Sequence, residues 1–304
     1  MPADPTHLAT EIRRQPASWM QAAELLPEVT AELPQPGERV AVIGCGTSWF
    51  MALAYASLRE EQGGGETDAF AASEFPPARR YDRLIAISRS GTTTEVVRAI
   101  EEARSPVVAL TAVPDSPVCA AAGRSVVLDF ADEQSVVQTV FATTALMLLR
   151  ASLGERIEPV AEQAESVLED GAPLPPEVES AEQVTFLGRG WAYGVALEAA
   201  LKLRETAQLW TEAYPQMEYR HGPIAIAEAG RAVWVFGRPV AGLAADIAAT
   251  DAAMVGAVDA SAAGFDPVAD LVRVHLFAAR RAERKGLDPD HPRHLSRSVV
   301  LDRR

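Results

Sequence analysis

Residues 184–205 have the sequence VTFLGRGWAYGVALEAALKLRE, and this stretch decides the fold. The apolar run at its start is typical of a buried strand, the glycines at 188 and 190 predict a turn, and the alanine- and leucine-rich remainder predicts a helix. Strand, turn and helix in this order are the building unit of parallel α/β sheets. We therefore expect the helix N-terminus to form an anion cradle and the C-terminal end to be reactive.

The C-terminal end of this predicted helix carries a lysine and a carboxylate. Lys202 and Glu205 are three residues apart, so they share one face of the helix. Lys202 is one of two lysines in a chain rich in arginine, and an amine with an adjustable pKa is something that arginine does not supply. With His221, which follows a loop, these groups suit proton transfer next to a carbonyl. The alternative for Lys202 and Glu205 is an ordinary solvated helix face.

The first half of the chain repeats the same pattern. A strand-length apolar run at 39–43 leads into the loop 44–48 and a predicted helix at 49–61, and a second run at 84–88 leads into the loop 88–94. The alternation continues with a predicted helix to about 103, strands at 107–110 and 126–128, and an apolar helix at 136–149. Alternating strands and helices with apolar strands indicate a parallel sheet covered on both faces.

The two loops are candidate ligand sites because each follows a buried strand at its carboxyl end. In the first loop, Gly44-Cys45-Gly46-Thr47-Ser48, a dinucleotide site would need a third glycine where the chain has Trp49, and a plain tight turn is the alternative. The second loop, Ser88-Arg89-Ser90-Gly91-Thr92-Thr93-Thr94, has hydroxyls and a glycine where a helix begins. It can surround a phosphate with N–H and O–H donors, although capping alone needs a single hydroxyl.

The pattern restarts after a segment rich in proline and glycine. We predict an N-terminal helical arm at 1–36, a first α/β domain at 37–153, a linker helix and Pro-rich linker at 154–182, and a second α/β domain with a C-terminal tail at 183–304. In the second half we expect strands at 232–236 and 254–258 and helices at 241–253 and 271–285. The second half of the chain therefore resembles a shorter version of the first half.

Composition limits what the chain binds. Its 304 residues are 48% hydrophobic and carry a formal charge of −14, which argues against a nucleic-acid partner but not against a small anion held by a local field. No apolar run approaches the roughly 20 residues that span a membrane, and we expect a cytoplasmic protein without a membrane partner. Cys45 and Cys119 are too few for a disulfide framework or a cysteine-rich zinc site. We expect neither a metal nor a cofactor.

The motifs together resemble the double sugar-isomerase-domain (SIS) family. This family includes the isomerase half of glucosamine-6-phosphate synthase, aminosugar-phosphate deaminases and aldose–ketose isomerases. The resemblance runs from about residue 11 to the end of the chain. It rests on the two loops and on the segments LGRG (187–190), ALE (196–198), LKLRE (201–205), EAY (212–214), RHGP (220–223) and DPDHPRHLSRS (288–298).

The resemblance implies two flavodoxin-like three-layer α/β/α SIS domains with parallel sheets, and a homodimer that binds a sugar 6-phosphate at a shared active site. Glu205 would be the base that moves a proton between C1 and C2, Lys202 would bind or polarise the substrate, and His221, from the partner subunit, would assist ring opening. The implied substrate- and phosphate-binding residues are Cys45, Gly46, Thr47, Ser48, Ser88, Arg89, Ser90, Thr93, Glu198 and Arg297.

The chain also departs from the synthase pattern. The 304 residues contain no counterpart of the glutaminase domain, so we expect no glutamine hydrolysis. Arg297 stands where the synthase has a tail lysine, and a guanidinium does not form a Schiff base. We therefore expect an isomerase of a sugar 6-phosphate, preferably an amino sugar, or else an aminosugar-6-phosphate deaminase. A non-catalytic phosphosugar sensor is the alternative of another class.

Overall fold

The computed structural model describes residues 6–256 and 264–301, in which helices and strands alternate. The helices are α1 His7–Val29, α2 Thr47–Glu61, α3 Thr94–Glu102, α4 Pro117–Ala122, α5 Val140–Ser152, α6 Glu158–Asp170, α7 Pro176–Glu179, α8 Ala192–Ala207, α9 Leu243–Ala248 and α10 Pro267–Arg284. The strands are β1 Val40–Gly44, β2 Thr67–Ala71, β3 Arg83–Ser88, β4 Val107–Thr111, β5 Ser125–Val127, β6 Gln183–Gly188, β7 Trp210–Pro215, β8 Arg231–Val235 and β9 Ala253–Val255. None of the helices described is both long and apolar enough to cross a lipid bilayer.

The strands form two parallel sheets. The first has five strands in the order β2-β1-β3-β4-β5, and the second has four in the order β7-β6-β8-β9. In each sheet the first strand of the chain lies between the second and the third. This is the flavodoxin-like order, in which the strand order reverses beside the first strand and ligands bind at that point. The predicted α/β class with parallel sheets is confirmed.

Helices cover both faces of each sheet, and one core joins the two sheets. A single cluster of buried side chains takes members from α1, α2, α5, α6, α8 and α10, and it includes Val42 of β1 and Phe186 of β6. A smaller cluster lies on the far face of each sheet, under α3 and α4 in the first and under α9 in the second. The predicted linker segment contributes α6 to the shared core, where Val160 and Val167 are buried.

Several boundaries differ from the sequence prediction. The edge strands β2 and β7 were not predicted, because half-exposed strands such as TDAFA lack the continuous apolar run of a buried strand. The helix predicted at 241–253 is the short α9, and the strand predicted at 254–258 is β9; residues 257 and 258 lie outside the described residues. Helix α5 begins at Val140 instead of Val136, since a loop that ends at Thr139 precedes it.

The two halves meet where α2 crosses α8. A Cβ on Gly194 would lie 2.5 Å from the Phe50 carbonyl oxygen and 2.7 Å from the Ala54 amide nitrogen, both on α2. The backbones therefore touch at this point, and a side chain does not fit between them. Because α8 carries Lys202 two turns further on, the crossing fixes where that lysine lies relative to the first sheet.

We expect Gly194→Ala to lower the free energy of unfolding by about 1–3 kcal/mol, because the added methyl group overpacks the contact between α2 and α8. Chemical denaturation followed by circular dichroism measures this loss. Glu162→Ala, at an exposed site on α6, is the control and should stay within about 0.5 kcal/mol of the wild type. A Gly194→Ala protein as stable as the control would show that the two helices do not touch.

Candidate active site

Three charged residues of α8 form the centre of the site. Glu198, Lys202 and Glu205 lie on one helix face because of their spacing. The Lys202 Nζ is 2.5 Å from Glu205 Oε2 and 3.4 Å from Glu198 Oε1. Lys202 and Glu198 are fully buried, whereas 19% of the Glu205 side chain remains exposed. A buried ammonium is thus held between two carboxylates, one of which reaches the surface.

Burial and mutual charge shift the pKa values of this group. Burial lowers the pKa of Lys202, but Glu198 and Glu205 outweigh it and the net pKa is raised, so the amine stays protonated at neutral pH. Burial raises the pKa of Glu198 to about 7; the Lys202 ammonium opposes this rise and the Glu205 carboxylate adds to it. Glu198 therefore gains and loses a proton near neutral pH, where a proton-transfer group is most useful.

The first loop lies against this group. Helix α2 begins at Thr47, directly after Gly46, and the Thr47 and Ser48 side chains are buried. Thr47 is close enough to Glu198 to lower the pKa of that carboxyl group. Cys45 lies among apolar side chains of the first sheet, and burial, followed by the charge of Glu95, raises the pKa of its thiol to about 11. The Cys45 thiol is thus protonated at neutral pH, and its predicted contact with substrate stays a prediction.

The second loop starts at the neighbouring strand end, because β1 pairs with β3. Ser88 and Ser90 are buried, and the Ser88 Oγ has no hydrogen-bond partner among the described residues. Ser90 Oγ accepts a hydrogen bond from the Thr92 backbone N–H at 3.3 Å, and Thr93 precedes the first residue of α3. The predicted hydroxyl-lined loop therefore opens onto a helix N-terminus at the switch point of the first sheet.

Arg89 turns away from the loop it belongs to. Its buried guanidinium donates hydrogen bonds to the backbone carbonyls of Ser135, Val136 and Arg297, at 2.9, 3.0 and 3.2 Å. It lies 3.8 Å from the Glu133 carboxylate. Arg89 thus holds the loop before α5 and the C-terminal tail in place. Its predicted contact with substrate stays a prediction, and these hydrogen bonds do not favour it because they already use the guanidinium.

Glu133 is a buried carboxylate that sequence reasoning missed. It accepts hydrogen bonds from the backbone N–H groups of Thr139, Val140 and Phe141 at 2.6, 2.7 and 3.1 Å, so it caps α5. Its charge also acts on Lys202. No sequence signal identifies it, because a residue that caps a helix from six positions before its N-cap matches no capping motif.

The C-terminal tail lies across the second loop. Thr92 Oγ1 donates to Ser298 Oγ at 2.9 Å, and the Thr94 N–H donates to the Val299 carbonyl at 3.1 Å. The Arg297 side chain pairs with the Asp132 carboxylate and the Glu133 carbonyl, and within the described part of the chain no hydrogen bond or ion pair joins it to the carboxylates of α8. The structure therefore brings the tail to the site but directs Arg297 elsewhere, and its predicted role in substrate binding stays a prediction.

His221 is not part of this cluster within one chain. It ends the 3₁₀ turn Glu218–His221 and is exposed, without a contact to Glu205 among the described residues. The resemblance to the SIS family implies that His221 acts in the active site of a partner subunit, and that role stays a prediction.

The second sheet has the same glycine turn as the first sheet, but it has no hydroxyl-lined loop for an anion. Gly188 and Gly190 between β6 and α8 repeat Gly44 and Gly46 between β1 and α2. However, the Glu61 carboxylate lies so close to Gly190 that a Cβ there would collide with it. This carboxylate occupies the α8 N-terminus, where the sequence predicts a bound anion. The segment after β8, FGRPVAG at 236–242, contains no hydroxyl side chain. Hydroxyl-lined loops at the switch point are thus a feature of the first half.

Glu205 opens into a surface groove of about 630 Å³. Its wall combines the exposed Trp210 and Leu295 with the charged side chains of Arg204, Glu212 and Arg293. Across residues 6–256 and 264–301, no three histidine, cysteine, aspartate or glutamate side chains are grouped closely enough to hold a metal ion. The site itself combines a carboxylate and an ammonium of α8 with a hydroxyl-lined helix N-terminus.

Known proteins share sequence and fold with this chain. Residues 33–153 match the family model of the SIS domain. The chain is 31% identical over 317 residues to the glutamine–fructose-6-phosphate aminotransferase [isomerizing] of Gloeobacter violaceus; the match covers 87% of this chain and 52% of that protein. The chain thus spans about half the length of the curated relatives it matches.

Two solved structures share the fold. The glucosamine-6-phosphate deaminase of Thermotoga maritima superposes with a TM-score of 0.83 at 23% identity, covering 97% of this chain and 100% of that one. The C-terminal domain of glucosamine-fructose-6-phosphate aminotransferase from Francisella tularensis superposes with a TM-score of 0.77 at 20% identity, covering 96% and 99%. Residues 33–153 thus match the SIS domain, and the chain is similar in sequence to about half of the isomerizing aminotransferase of Gloeobacter violaceus.

The raised pKa of Glu198 makes stability depend on pH. Its folded value of about 7 lies above the ordinary 4.5, so the folded state binds more protons between these values and stability falls as pH rises through them. Against Glu198→Gln, which does not titrate, we expect the wild type to lose about 3 kcal/mol of unfolding free energy from pH 4.5 to 7.5. Denaturant titrations of both proteins at each pH measure the difference, and a difference independent of pH would contradict the assignment.

Proposed function

We propose that this chain is a phosphosugar aldose–ketose isomerase that moves a proton between C1 and C2 of a sugar 6-phosphate. The observation that carries the proposal is the buried Lys202 ammonium between Glu198 and Glu205, beside two loops with buried hydroxyls. A 1,2-proton shift needs one carboxylate to take and return a carbon-bound proton and a cation to stabilise the enediolate oxygen. This group supplies both.

The phosphate binds at the second loop in this proposal. The positive end of the α3 dipole faces this loop, where the Thr94 N–H already donates to the Val299 carbonyl of the tail, and Ser88, Ser90 and Thr93 add hydroxyl donors around it. The buried and unpaired Ser88 Oγ supports this position, because a buried hydroxyl without a partner is costly unless a ligand satisfies it. Thr47 and Ser48 of the first loop hold sugar hydroxyls on the side that faces α8.

The proton transfer centres on Glu205. Its side chain is partly exposed to the groove, so a substrate carbon can approach it. Glu205 takes the proton from C2 of the open-chain aldose, the electron pair forms the C1–C2 double bond, and the former carbonyl oxygen becomes an enediolate beside the Lys202 ammonium. The hydroxyl proton on O2 moves to the O1 oxygen, and return of the carbon-bound proton to C1 then leaves the carbonyl at C2 and gives the ketose. Lys202 remains an ammonium throughout, so this route forms no imine on the protein.

Deamination is the second candidate reaction, because it begins with the same shift. In a 2-ammonio aldose, the C2 proton moves to C1 and an N–H proton moves to the C1 oxygen, which leaves a C2 iminium. Addition of water and cleavage of the C–N bond then give the ketose and ammonium, so no oxidant or second substrate is needed. The homology to isomerizing aminotransferases supports a site that handles C2 nitrogen.

We also propose that the chain consists of two SIS domains and acts as a homodimer. We interpret the second half, 183–304, as a second SIS domain, with the first at 37–153, since both sheets share one strand order and one Gly-x-Gly turn after the central strand. A homodimer in which His221 of one subunit reaches the site of the other would complete the ring-opening step. We further propose a cytoplasmic enzyme. A phosphosugar sensor would bind the same ligands without turnover.

The test is a screen of sugar 6-phosphates, with and without an amino group, followed by NMR for isomerised sugar and for released ammonia. On the substrate it identifies, we expect Glu205→Gln to retain binding and to lower kcat by about 10²–10⁴, because the amide keeps the shape but does not take the proton. Glu165→Gln, an exposed change on α6, should leave kcat unchanged. Binding without turnover by the wild type would favour the sensor, and a fully active Glu205→Gln protein would contradict the assignment of the base.

A further inference from the structure

A second recess lies where the end of α10 meets the segment between α6 and α7. Its volume is about 900 Å³, in the range of sites that hold small molecules, and none of its lining residues lines the groove at Glu205. The recess has an apolar wall and a charged wall, formed mainly by Pro173, Leu174, Glu179, Arg280, Arg281 and Arg284. We call it the arginine recess.

The charged wall has more cations than carboxylates. Glu179 Oε1 accepts a hydrogen bond from Arg280 at 2.9 Å, and its Oε2 accepts one from Arg284 at 2.8 Å. Arg281 has no carboxylate partner among the described residues and donates instead to the backbone carbonyls of Glu179 and Ala181. Three guanidinium groups thus share one carboxylate, in a chain whose formal charge is −14.

Two of the three arginines have a structural role that the third lacks. Arg280 donates to two backbone carbonyls of the segment after α6, at 2.9 and 3.1 Å, so Arg280 and Arg281 together hold this segment against α10. The Arg284 side chain is 56% exposed, and Glu179 is its one hydrogen-bond partner among the described residues. The Nε and Nη2 atoms of Arg284 therefore remain available as donors beside the recess.

The other charges near the recess leave this excess in place. Burial and then the Arg284 charge lower the pKa of Arg281, and the opposing effects of two nearby glutamates are smaller. The guanidinium nevertheless stays charged at neutral pH. Burial and then the Arg281 charge likewise lower the pKa of Lys285. Glu283, on the same turn of α10, is exposed and does not line the recess. Positive charge is therefore concentrated at the end of α10.

We propose that the arginine recess binds the phosphate group of a small phosphorylated molecule, separately from the site at Glu205. A phosphate monoester carries about −1.5 to −2 charges at neutral pH, which matches the two positive charges that Glu179 leaves uncompensated. Arg281 and Arg284 offer the planar N–H donors that phosphate oxygens accept. The remainder of the ligand packs against Pro173 and Leu174.

Calorimetry at pH 7.5 and about 150 mM salt tests the site with probes that share a phosphate and differ in the rest. The probes are inorganic pyrophosphate, ADP and glucitol 6-phosphate. We expect at least one of them to bind, and Arg284→Gln to weaken that binding about 10- to 100-fold, the loss expected when a charged hydrogen bond is removed. Arg281→Gln should have the same effect. Arg104→Gln, at an exposed site after α3, should keep the wild-type affinity.

A second variant locates the bound probe. Binding in the recess should survive Ser90→Ala, which removes a hydroxyl from the second loop. No binding by any probe, or an affinity that Arg284→Gln leaves unchanged, overturns the proposal. A probe held at the second loop would lose affinity in Ser90→Ala and keep it in Arg284→Gln, so the outcome for the proposed function is read separately.

The ranking of the probes identifies the source of the phosphate. Tighter binding of ADP in the recess points to a nucleotide, and tighter binding of glucitol 6-phosphate points to a sugar phosphate. Should Arg281→Gln not fold, Arg284→Gln decides, because its side chain is exposed.

Discussion

The structure depends on burying the Lys202 ammonium between Glu198 and Glu205. Desolvating charges costs several kcal/mol for each ion, and mutual attraction offsets this cost only in good geometry. The geometry here comes from one helix, which places all three side chains on the same face. The backbone contact at Gly194 then presses that helix against α2, so that the charges meet the first loop. A protein without a use for such a centre would be more stable with apolar residues in its place.

The two halves contribute different parts of the site. Both have the same strand order and the same glycine turn after the central strand. The first half provides the hydroxyl-lined loops, whereas the second provides the charged helix face. In the second half, Glu61 lies beside Gly190, at the N-terminus of α8. The carboxylate belongs to the first half, so each half places a group in the other's switch region, and the site requires both.

The sequence predicts those features that depend on local pattern. The buried strands β1, β3 and β6 are continuous apolar runs, and the spacing of Lys202 and Glu205 determines their shared helix face. The edge strands β2 and β7 lack such runs. Features set by long-range contacts leave no local pattern. Three features depend on such long-range contacts and could not be predicted. They are the cap of Glu133 on α5, the bonds of Arg89 to a distant loop and the direction of the Arg297 side chain. Because Arg89 and Arg297 lie in a predicted binding loop and tail, the sequence predicts that they bind an anion. In the structure they bind backbone carbonyls and a carboxylate instead.

The central claim is that this carboxylate and ammonium centre moves a carbon-bound proton. The most direct measurement is NMR of the substrate during turnover in D₂O, with the solvent as the source of deuterium. If Glu205 takes the C2 proton and exchanges it with solvent before returning it, the ketose will carry deuterium at C1 and the recovered aldose will carry it at C2. The contrary result is turnover with no deuterium at C1 of the product or C2 of the recovered substrate, measured at several extents of reaction. This result would contradict a carboxylate base that exchanges its proton with solvent and would point to direct transfer between the carbons.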